Sequence, residues 1–361
     1  MSLTKAIADV PTQMHSLGSV HIRSLTPEMD QAWDNFVSSR NTGTLFHLTK
    51  WKRAVETTFG YQSCYLYAER AGEITAVAPV FLVSNWIMGR CLVSVPLAVY
   101  GGICAADDES EAALVEHLKE LARIQDIEFL ELRCRRITNL TEFSAIQRYA
   151  TFTTELSPDP EVDLKRLPRD TRYMIRKGTK AGLRCEHGLH QLDVFYKLFS
   201  QSMRRLGTPV FPQSLFVNLI REFRTSIDLL VIYSGAQPVT GVFSFFYGDT
   251  ILPYYAGAGP GANALAANNF MYWELMKHAA RQGMRYFDFG RSKKGTGSYA
   301  FKTQWNAQVE SLNYQVHLVR RKNLPNFSPV NPKFELAARL WSRMPLRLTT
   351  WIGPRVVRWF P

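Results

Sequence analysis

The chain has 361 residues, of which 46% are hydrophobic and 12% aromatic, so its composition excludes a disordered protein and its length favours two domains. The five cysteines form no Cys-x-x-Cys pair and no cluster with histidine, which indicates a reducing compartment and predicts no metal. The excess positive charge lies in the second half: residues 1–160 carry 14 Lys and Arg against 19 Asp and Glu, and residues 161–361 carry 29 against 12. This asymmetry favours a polyanionic ligand, such as a nucleotide, a tRNA, a lipid-linked diphosphate sugar or an anionic membrane surface.

The first half is predicted to form an α/β domain over residues 19–156, preceded by a flexible segment at 1–18. The N-terminus lacks the apolar core of a signal peptide, and no apolar run approaches the ~20 residues that span a bilayer, so we expect a cytoplasmic protein. Hydrophobic periodicity predicts these elements: strand Ser19–Leu25, helices Met29–Ser38 and Lys50–Phe59, strands Ser63–Glu69, Ile74–Val83 and Arg90–Val95, helix Ser110–Gln125 and strand Phe129–Arg135.

Two prolines within Ser157–Pro160 mark the predicted start of a second domain, 161–322. The predicted elements are helix Pro168–Ala181, strand Leu183–Glu186, helices Leu192–Leu206 and Ser214–Phe223, strands Asp228–Tyr233, Val239–Tyr247 and Thr250–Ala256, helix Leu265–Gln282, and strands Arg285–Phe289 and Ser311–Val319. Both halves follow a plan of helix, hairpin, helix and strand. We therefore expect an α/β (α+β) protein with a duplicated fold, in which mainly antiparallel sheets are flanked by helices.

The segment 323–361 is predicted to be a basic amphipathic tail. Its last 31 residues contain six Lys and Arg but one Glu, interspersed with Leu, Trp, Val and Phe. Such a pattern is typical of a segment that lies on an anionic membrane surface, here the inner membrane. The alternative is a C-terminal helix that packs on the protein body with its arginines in water.

The predicted helix Pro168–Ala181 carries cations on one face, spaced by three, four and four residues: Arg169, Arg172, Arg176 and Lys180. A second set with helical spacing follows the opposite face: Leu167, Thr171, Met174 and Gly178. Arg172 and Arg176 are therefore candidates for binding an anionic substrate. A solvated basic face explains the same spacing.

Two features surround the start of the predicted helix Leu265–Gln282. Asn268 and Asn269 lie in its first turns, where free backbone N–H groups can hold an anion or a carbonyl oxygen. The preceding sequence AGAGPG has alternating glycines, which let a backbone approach a ligand closely. The candidate cofactor-binding residues are accordingly Gly257, Gly259 and Gly261; a simple turn is the alternative.

The segment FDFGRSKKGTGSYAFKTQW combines polar, cationic and aromatic side chains around three glycines; they include Asp288, Arg291, Ser292, Tyr299, Lys302 and Trp305. Acyl transfer builds negative charge on a carbonyl oxygen, so Lys302 or Arg291 could stabilise that charge or neutralise a phosphate leaving group. Asp288 or Tyr299 could orient or deprotonate the attacking amine or hydroxyl. Because no Ser-His-Asp or Cys-His arrangement is indicated, we expect direct attack by the acceptor and no acyl-enzyme.

Several motifs carry a resemblance to a known family. In the second half they are RYMIRK at 172–177 with Gly182, YYAG at 254–257, the pair Asn269 and Trp273, and FDFGRS followed by G-x-G-x-Y-x-F-K-x-x-W. In the first half they are FH at 46–47, Trp51, SVP at 94–96 and YGG at 100–102. Over roughly residues 20–320 the chain resembles the FemAB-type peptidoglycan-bridge transferases, especially the FemAB-related proteins of exosortase and PEP-CTERM exopolysaccharide loci.

This resemblance implies tandem GNAT-like (acyl-CoA N-acyltransferase) domains, an acceptor groove between or beside them, and Lys302 near the reaction centre. The residues to which substrate binding is assigned are Arg172, Arg176, Tyr254, Tyr255, Asn268, Asn269, Trp273, Ser292, Trp305 and Tyr100. No tightly bound cofactor is expected. The donor stays open between acyl-CoA and aminoacyl-tRNA, because neither the usual acetyl-CoA pyrophosphate pattern nor the two-helix arm of many tRNA-using members is matched.

The sequence thus predicts an acyl- or aminoacyl-transferase that acts on an amine or hydroxyl of a saccharide-lipid or peptidoglycan-type precursor. The precursor belongs to the cell envelope or to an exopolysaccharide, and tRNA is a partner only if the donor is aminoacyl-tRNA. A non-catalytic protein that uses its basic second half to hold RNA or a polysaccharide-assembly complex at the membrane is the alternative.

Overall fold

The computed structural model describes residues 19–135, 140–324 and 332–360, so the predicted segment 1–18 lies outside the described residues. The helices are α1 (Asp30–Ser38), α2 (Thr49–Phe59), α3 (Asp108–Ile124), α4 (Pro160–Arg166), α5 (Arg169–Lys180), α6 (Leu192–Arg205), α7 (Gln213–Phe223), α8 (Ala267–Arg281), α9 (Gly297–Thr303), α10 (Pro332–Arg343) and α11 (Leu346–Val357). The strands are β1 (His21–Ser24), β2 (Gln62–Arg70), β3 (Glu73–Asn85), β4 (Gly89–Ser94), β5 (Cys104–Ala105), β6 (Phe129–Cys134), β7 (Ser144–Ile146), β8 (Tyr149–Glu155), β9 (Leu183–His187), β10 (Ile227–Ser234), β11 (Gln237–Tyr247), β12 (Thr250–Ala258), β13 (Tyr286–Asp288), β14 (Ser292–Lys293), β15 (Gln308–Ser311) and β16 (Asn313–Leu318).

The chain divides into two compact units. The first is Met1–Gln147 with Leu312–Asn326 and Arg358–Pro361, and the second is Arg148–Ser311 with Phe327–Val357. The predicted boundary at Ser157–Pro160 lies one strand after this division, and the predicted second domain, 161–322, includes β16, which falls in the first unit. The physical reason is strand pairing: β8 pairs with β13, β14 and β15, whereas β16 pairs with β6 and β7.

The first unit is built on a sheet in the order β1-β2-β3-β4-β6-β16-β7, with β5 paired to β3. Helix α3 begins at a cap in which the Asp107 side chain accepts a hydrogen bond from the Ser110 backbone N–H. Its apolar face, with Leu114 and Leu118, joins a core with strand residues such as Leu66 and Leu92. The apolar residues of α3 repeat with the helical period, and this repeat determines which face of the helix covers the sheet.

The second unit is built on a sheet in the order β14-β8-β13-β12-β11-β10-β9, with β15 paired to β8. Helix α8 is its central helix, and a large share of its residues is buried: Ala267, Asn269, Phe270, Met271, Tyr272, Trp273, Leu275, Met276 and Ala279. A helix that is apolar on most sides is covered on most sides. Its position between β12 and β13 fixes the surroundings of the candidate site.

The predicted duplication is confirmed by the topology of the two sheets. The strands pair antiparallel except for β4 with β6 in the first unit and β12 with β13 in the second. Parallel neighbours need a crossover connection, and α3 and α8 supply it. Each unit therefore repeats a hairpin, a crossover helix and a parallel strand, as expected for tandem GNAT-like domains.

The C-terminal tail forms α10 and α11, which belong to the second unit and contact α6. An added Cβ at Gly207 would meet the Ala338 backbone oxygen at 2.6 Å, and Gly353 lies against Val210. The helices also leave large apolar side chains exposed: Leu336, Leu340, Leu348 and Trp351. Within the described part of the chain, no helix is both long and apolar enough to cross a membrane.

Candidate active site

The candidate site lies where β12 and β13 stop pairing. Their ladder contains two pairs, Thr250 with Tyr286 and Ile251 with Phe287, while β12 continues to Ala258. A β-bulge interrupts the pairing of β11 with β12, because Phe243 pairs with Tyr255 but Ser244 pairs with Pro253. Tyr254 is the extra residue of this bulge.

The bulge also explains how β12 presents its two faces. Ile251 and Ala258 both belong to the core around α8, although strict alternation over seven residues would place them on opposite faces. Tyr255 packs instead among Phe199 and Phe216 of the α6 and α7 side. One inserted residue therefore changes the face that each side chain occupies, and it does so beside the candidate site.

Lys302 is the central cation of the site, and it is buried. Lys302 lies on α9 and is 8% exposed. Its Nζ donates hydrogen bonds of 3.0 Å to the carbonyl oxygens of Gly290 and Arg291. Burial lowers the pKa of the Lys302 amine to about 8, while the nearby Asp288 acts in the opposite direction. A desolvated cation of this kind interacts strongly with any charge that develops next to it.

Asp288 ends β13 and is 1% exposed. Its Oδ1 accepts hydrogen bonds of 2.8 Å from Thr151 Oγ1 and from the Gly290 backbone N–H. The carboxylate therefore holds the turn whose carbonyl oxygens bind Lys302. These contacts are all within the protein, so the roles of Asp288 toward the attacking amine or hydroxyl stay predictions.

The other two predicted catalytic residues pack on aromatic rings. The Arg291 guanidinium carbon lies 4.7 Å from the Tyr149 ring centroid. Tyr299 is half-buried, and its ring packs edge-on to Phe152 with centroids 5.0 Å apart. Phe152 also lies 5.8 Å from Lys302 Nζ, so these side chains surround one small region of the second unit.

Ser292 and Trp305 complete this region, and both are buried. Within the described ranges, Ser292 Oγ and Trp305 Nε1 have no hydrogen-bond partner, which is unusual for buried polar atoms. Trp305 also lines a cavity of about 240 Å³ with Asn306 and Asp163. Both atoms are buried in the structure, and the substrate-binding roles of Ser292 and Trp305 stay predictions.

The start of α8 is less open than the sequence suggests. The Asn268 Oδ1 atom accepts a hydrogen bond of 2.9 Å from Thr240 Oγ1, and Asn269 and Trp273 are buried. Helix α5 crosses at this point, because an added Cβ at Gly178 would meet Phe270 Cβ at 2.6 Å. The Ala267 backbone N–H of the first turn also has a partner, because it donates to the Ala262 carbonyl oxygen over 2.9 Å.

Helix α5 presents the predicted basic face. Thr171, Ile175 and Gly178 are its buried residues, so of the predicted apolar face only Met174 is less covered than expected. Arg176 is exposed and Arg172 is half-buried. The Thr171 hydroxyl donates to the Gln304 carbonyl oxygen over 2.5 Å, which fixes α5 beside the turn that carries Trp305.

The predicted cofactor loop at 256–261 is not one open loop in the structure. Gly257 lies within β12, and an added Cβ there would meet the backbone N and Cα of Phe199 on α6 at 2.4 Å. Gly259 packs against Leu198 of the same helix, whereas Gly261 has a φ of +81° and open space. Close packing of a helix therefore accounts for the first two glycines, and only Gly261 lies in an open turn.

The motif residues of the first unit form an aromatic cluster. Tyr100 is buried, packs edge-on to Phe46 and lies beneath the Arg135 guanidinium. His47 Nε2 lies 3.0 Å from the Gly102 carbonyl oxygen, and burial lowers the His47 pKa to about 4. These contacts hold the segment around 95–102, so the structure gives Tyr100 a packing role within its own unit.

One side-chain cluster was missed by the sequence. His187 and His278, which have no recognisable motif around them in the sequence, lie together with Asp228 in the second unit. Their ligand atoms lie within 4.8 Å of one another. No local motif could signal this group, because it joins β9, β10 and α8.

Comparisons with known proteins agree with this architecture. Residues 165–303 match the family described as "Acetyltransferase (GNAT) domain". No curated protein sequence matches the chain. Among solved structures, FemX aligns with a TM-score of 0.66 at 16% identity, over 88% of this chain and 100% of FemX.

Two further structures cover most of both chains. The C-terminal domain of a putative lysylphosphatidylglycerol synthetase from Agrobacterium fabrum aligns with a TM-score of 0.56 at 12% identity, over 91% of this chain and 96% of that domain. A tandem GNAT protein from the clavulanic acid biosynthesis pathway aligns with a TM-score of 0.53 at 10% identity, over 84% and 100%. At these identities the likeness shows the fold alone: the chain has a tandem GNAT-like fold, and its residues 165–303 match the acetyltransferase (GNAT) domain family.

Proposed function

We propose that the protein is an acyl- or aminoacyl-transferase that acts on an amine or hydroxyl of a cell-envelope or exopolysaccharide precursor. The observation that carries the proposal is the buried Lys302 amine, held by the carbonyl oxygens of Gly290 and Arg291 just after β13. Gly290 in turn lies against Leu252 of β12. A desolvated cation therefore lies beside the point where β12 and β13 stop pairing, in a sheet of the acetyltransferase type.

The proposed reaction is a direct transfer. The acceptor nitrogen or oxygen attacks the acyl carbonyl, a new C–N or C–O bond forms, and the thioester or ester bond of the donor breaks. The acceptor proton passes to the leaving sulfur or oxygen. The Lys302 ammonium stabilises the oxyanion, and the α8 N-terminus with the basic face of α5 holds the anionic part of the donor.

Direct attack is also supported by the state of the thiols. Burial raises the pKa of Cys64, Cys91 and Cys185 to about 12, which makes them poor nucleophiles near neutral pH. The sequence prediction that no acyl-enzyme forms therefore stands as part of the proposal.

The proposed acceptor class rests on the resemblance to envelope transferases and on the fold neighbours. One neighbour is FemX, and another is the C-terminal domain of a putative lysylphosphatidylglycerol synthetase. The exposed outer face of α10 and α11 supports peripheral contact with an anionic membrane, where such acceptors lie. Trp351 there is 61% exposed and is covered on one side by the Arg355 guanidinium at 4.6 Å.

A thermal-shift screen of the full chain distinguishes the donors and tests the proposal. A ligand that binds the folded state raises the melting temperature, so we expect either acyl-CoA or aminoacyl-tRNA to raise it more than free CoA or uncharged tRNA does. If neither acylated donor stabilises the protein, and unrelated RNA stabilises it as well as tRNA, the exposed cations of α5 serve nucleic-acid binding and the transferase proposal fails.

A further inference from the structure

The group formed by His187, Asp228 and His278 lies at the other end of α8 from Asn268 and Asn269. His187 is the last residue of β9, Asp228 is the second residue of β10, and His278 lies in the last turn of α8. The register pairs His187 with Leu230, two residues after Asp228, so His187 and Asp228 lie on the sheet face that α8 covers.

The contacts within this group are close. His187 Nδ1 lies 2.9 Å from one Asp228 carboxylate oxygen and 3.1 Å from the other. The His187 and His278 rings stack with centroids 4.3 Å apart and planes inclined by 29°. Two imidazoles and one carboxylate therefore converge on one point from three separate elements.

The separations fit a bound metal ion after small side-chain rotations. With metal–ligand distances of ~2.0–2.2 Å, neighbouring ligands of a tetrahedral zinc site lie about 3.3–3.5 Å apart. The ligand atoms of all three residues already lie within 4.8 Å of one another. The His187 side chain is 32% exposed and the Asp228 side chain 9%, so an ion can enter from solvent and finds its carboxylate already desolvated.

We propose that His187, Asp228 and His278 bind a divalent transition-metal ion of the zinc type, with a fourth position left to water. Two imidazoles and a carboxylate suit such ions better than they suit Mg²⁺ or Ca²⁺, which prefer oxygen ligands throughout. The ion joins the edge strand β9 to β10 and to the end of α8. Since β9 is a terminal strand of this sheet and β10 is its described pairing partner, the ion ties an edge strand to its neighbour and to α8.

The test uses full-length, tag-free protein that has been treated with a chelator and then titrated with Zn²⁺ by calorimetry. We expect one Zn²⁺ per chain in the wild type and a higher melting temperature when Zn²⁺ is present. Asp228→Asn and His278→Ala should each weaken binding at least about 100-fold, because each removes a ligand. The matched control His190→Ala removes an exposed histidine close in sequence to His187 and should change neither quantity.

Absorption of Co²⁺ in place of Zn²⁺ gives a second, spectroscopic readout of the ligands. Ligation by two imidazoles and a carboxylate in a four-coordinate site gives an intense visible band, and the band should be lost in His278→Gln, which keeps a polar side chain. The proposal is overturned if the wild type gives no such band, or if Zn²⁺ binds equally to the wild type and to His278→Gln. It is also overturned if His190→Ala weakens binding as much as Asp228→Asn does.

Discussion

Lys302 shows how one side chain depends on the turn around it. The sequence identifies it as a cation in a polar, glycine-containing segment, but its burial follows from contacts that form only after folding. Asp288 holds the Gly290 backbone N–H, and the carbonyl oxygens of Gly290 and Arg291 then bind the amine. The residue type could be predicted, whereas the environment that lowers its pKa could not.

The burial of Lys302 predicts a pH dependence of stability. The pKa of Lys302 is about 8 in the folded protein, whereas an ordinary lysine side chain, as in the unfolded chain, has a pKa of 10.5. Between these two pH values the unfolded chain binds a proton that the folded chain does not. The free energy of unfolding should therefore rise with pH across this window, by at most about 3 kcal/mol. We expect urea unfolding to show that the wild type gains stability relative to Lys302→Met between about pH 8 and about pH 10.5.

Lys294→Met is the matched control for this experiment. Lys294 lies in the same segment and is exposed, with its Nζ hydrogen-bonded to Ser311. Its stability difference from the wild type should stay nearly constant over the same range. If the Lys302→Met difference is just as flat, the amine is not desolvated in the folded protein.

At the scale of elements, long periodic segments were predictable and short ones were not. Helix α8 and strands β10, β11 and β12 agree with their predicted spans to within a few residues. The short pieces α4, α9, β14 and β15 were not predicted as elements, because their few residues carry no period and follow from pairing with β8 or from local caps such as Thr296. The site is built largely from these short pieces.

Gly257 provides a prediction about the contact of β12 with α6. Gly257→Ala inserts a methyl group where backbone atoms of Phe199 lie at 2.4 Å, and backbone cannot move aside without shifting α6. We expect a loss of about 3 kcal/mol or more in the free energy of unfolding, measured by urea denaturation. If Gly257→Ala instead leaves stability unchanged and abolishes donor binding, the sequence interpretation of this glycine as a cofactor contact is restored.

Gly297→Ala is the control for that substitution. Gly297 is the first residue of α9, and an added Cβ there meets nothing within 4 Å. Its stability should change by less than about 1 kcal/mol, in the stabilising direction, since alanine restricts the unfolded chain. Equal losses at both positions would contradict the packing account of Gly257.

At the scale of the whole molecule, the duplication was predictable and the division of the chain was not. Each half repeats the same order of hairpin, helix and strand, which the hydrophobic pattern reveals. β8 falls in the second unit and β16 in the first, the reverse of the predicted domains. This placement depends on pairings between strands distant in sequence, such as β8 with β15. The two prolines within Ser157–Pro160 mark the start of α4, which is a local feature of the chain. They carry no information about those pairings.

The central claim concerns transfer, so the most direct test is the single-turnover rate of acyl transfer from the donor found by the thermal-shift screen to a lipid-linked saccharide acceptor. Removal of one preorganised oxyanion stabiliser typically costs ~10²–10³-fold in rate. We therefore expect Lys302→Met to lower the rate by at least about 100-fold, with Lys294→Met within about threefold of the wild type. A folded Lys302→Met protein that transfers the acyl group at the wild-type rate would contradict the account.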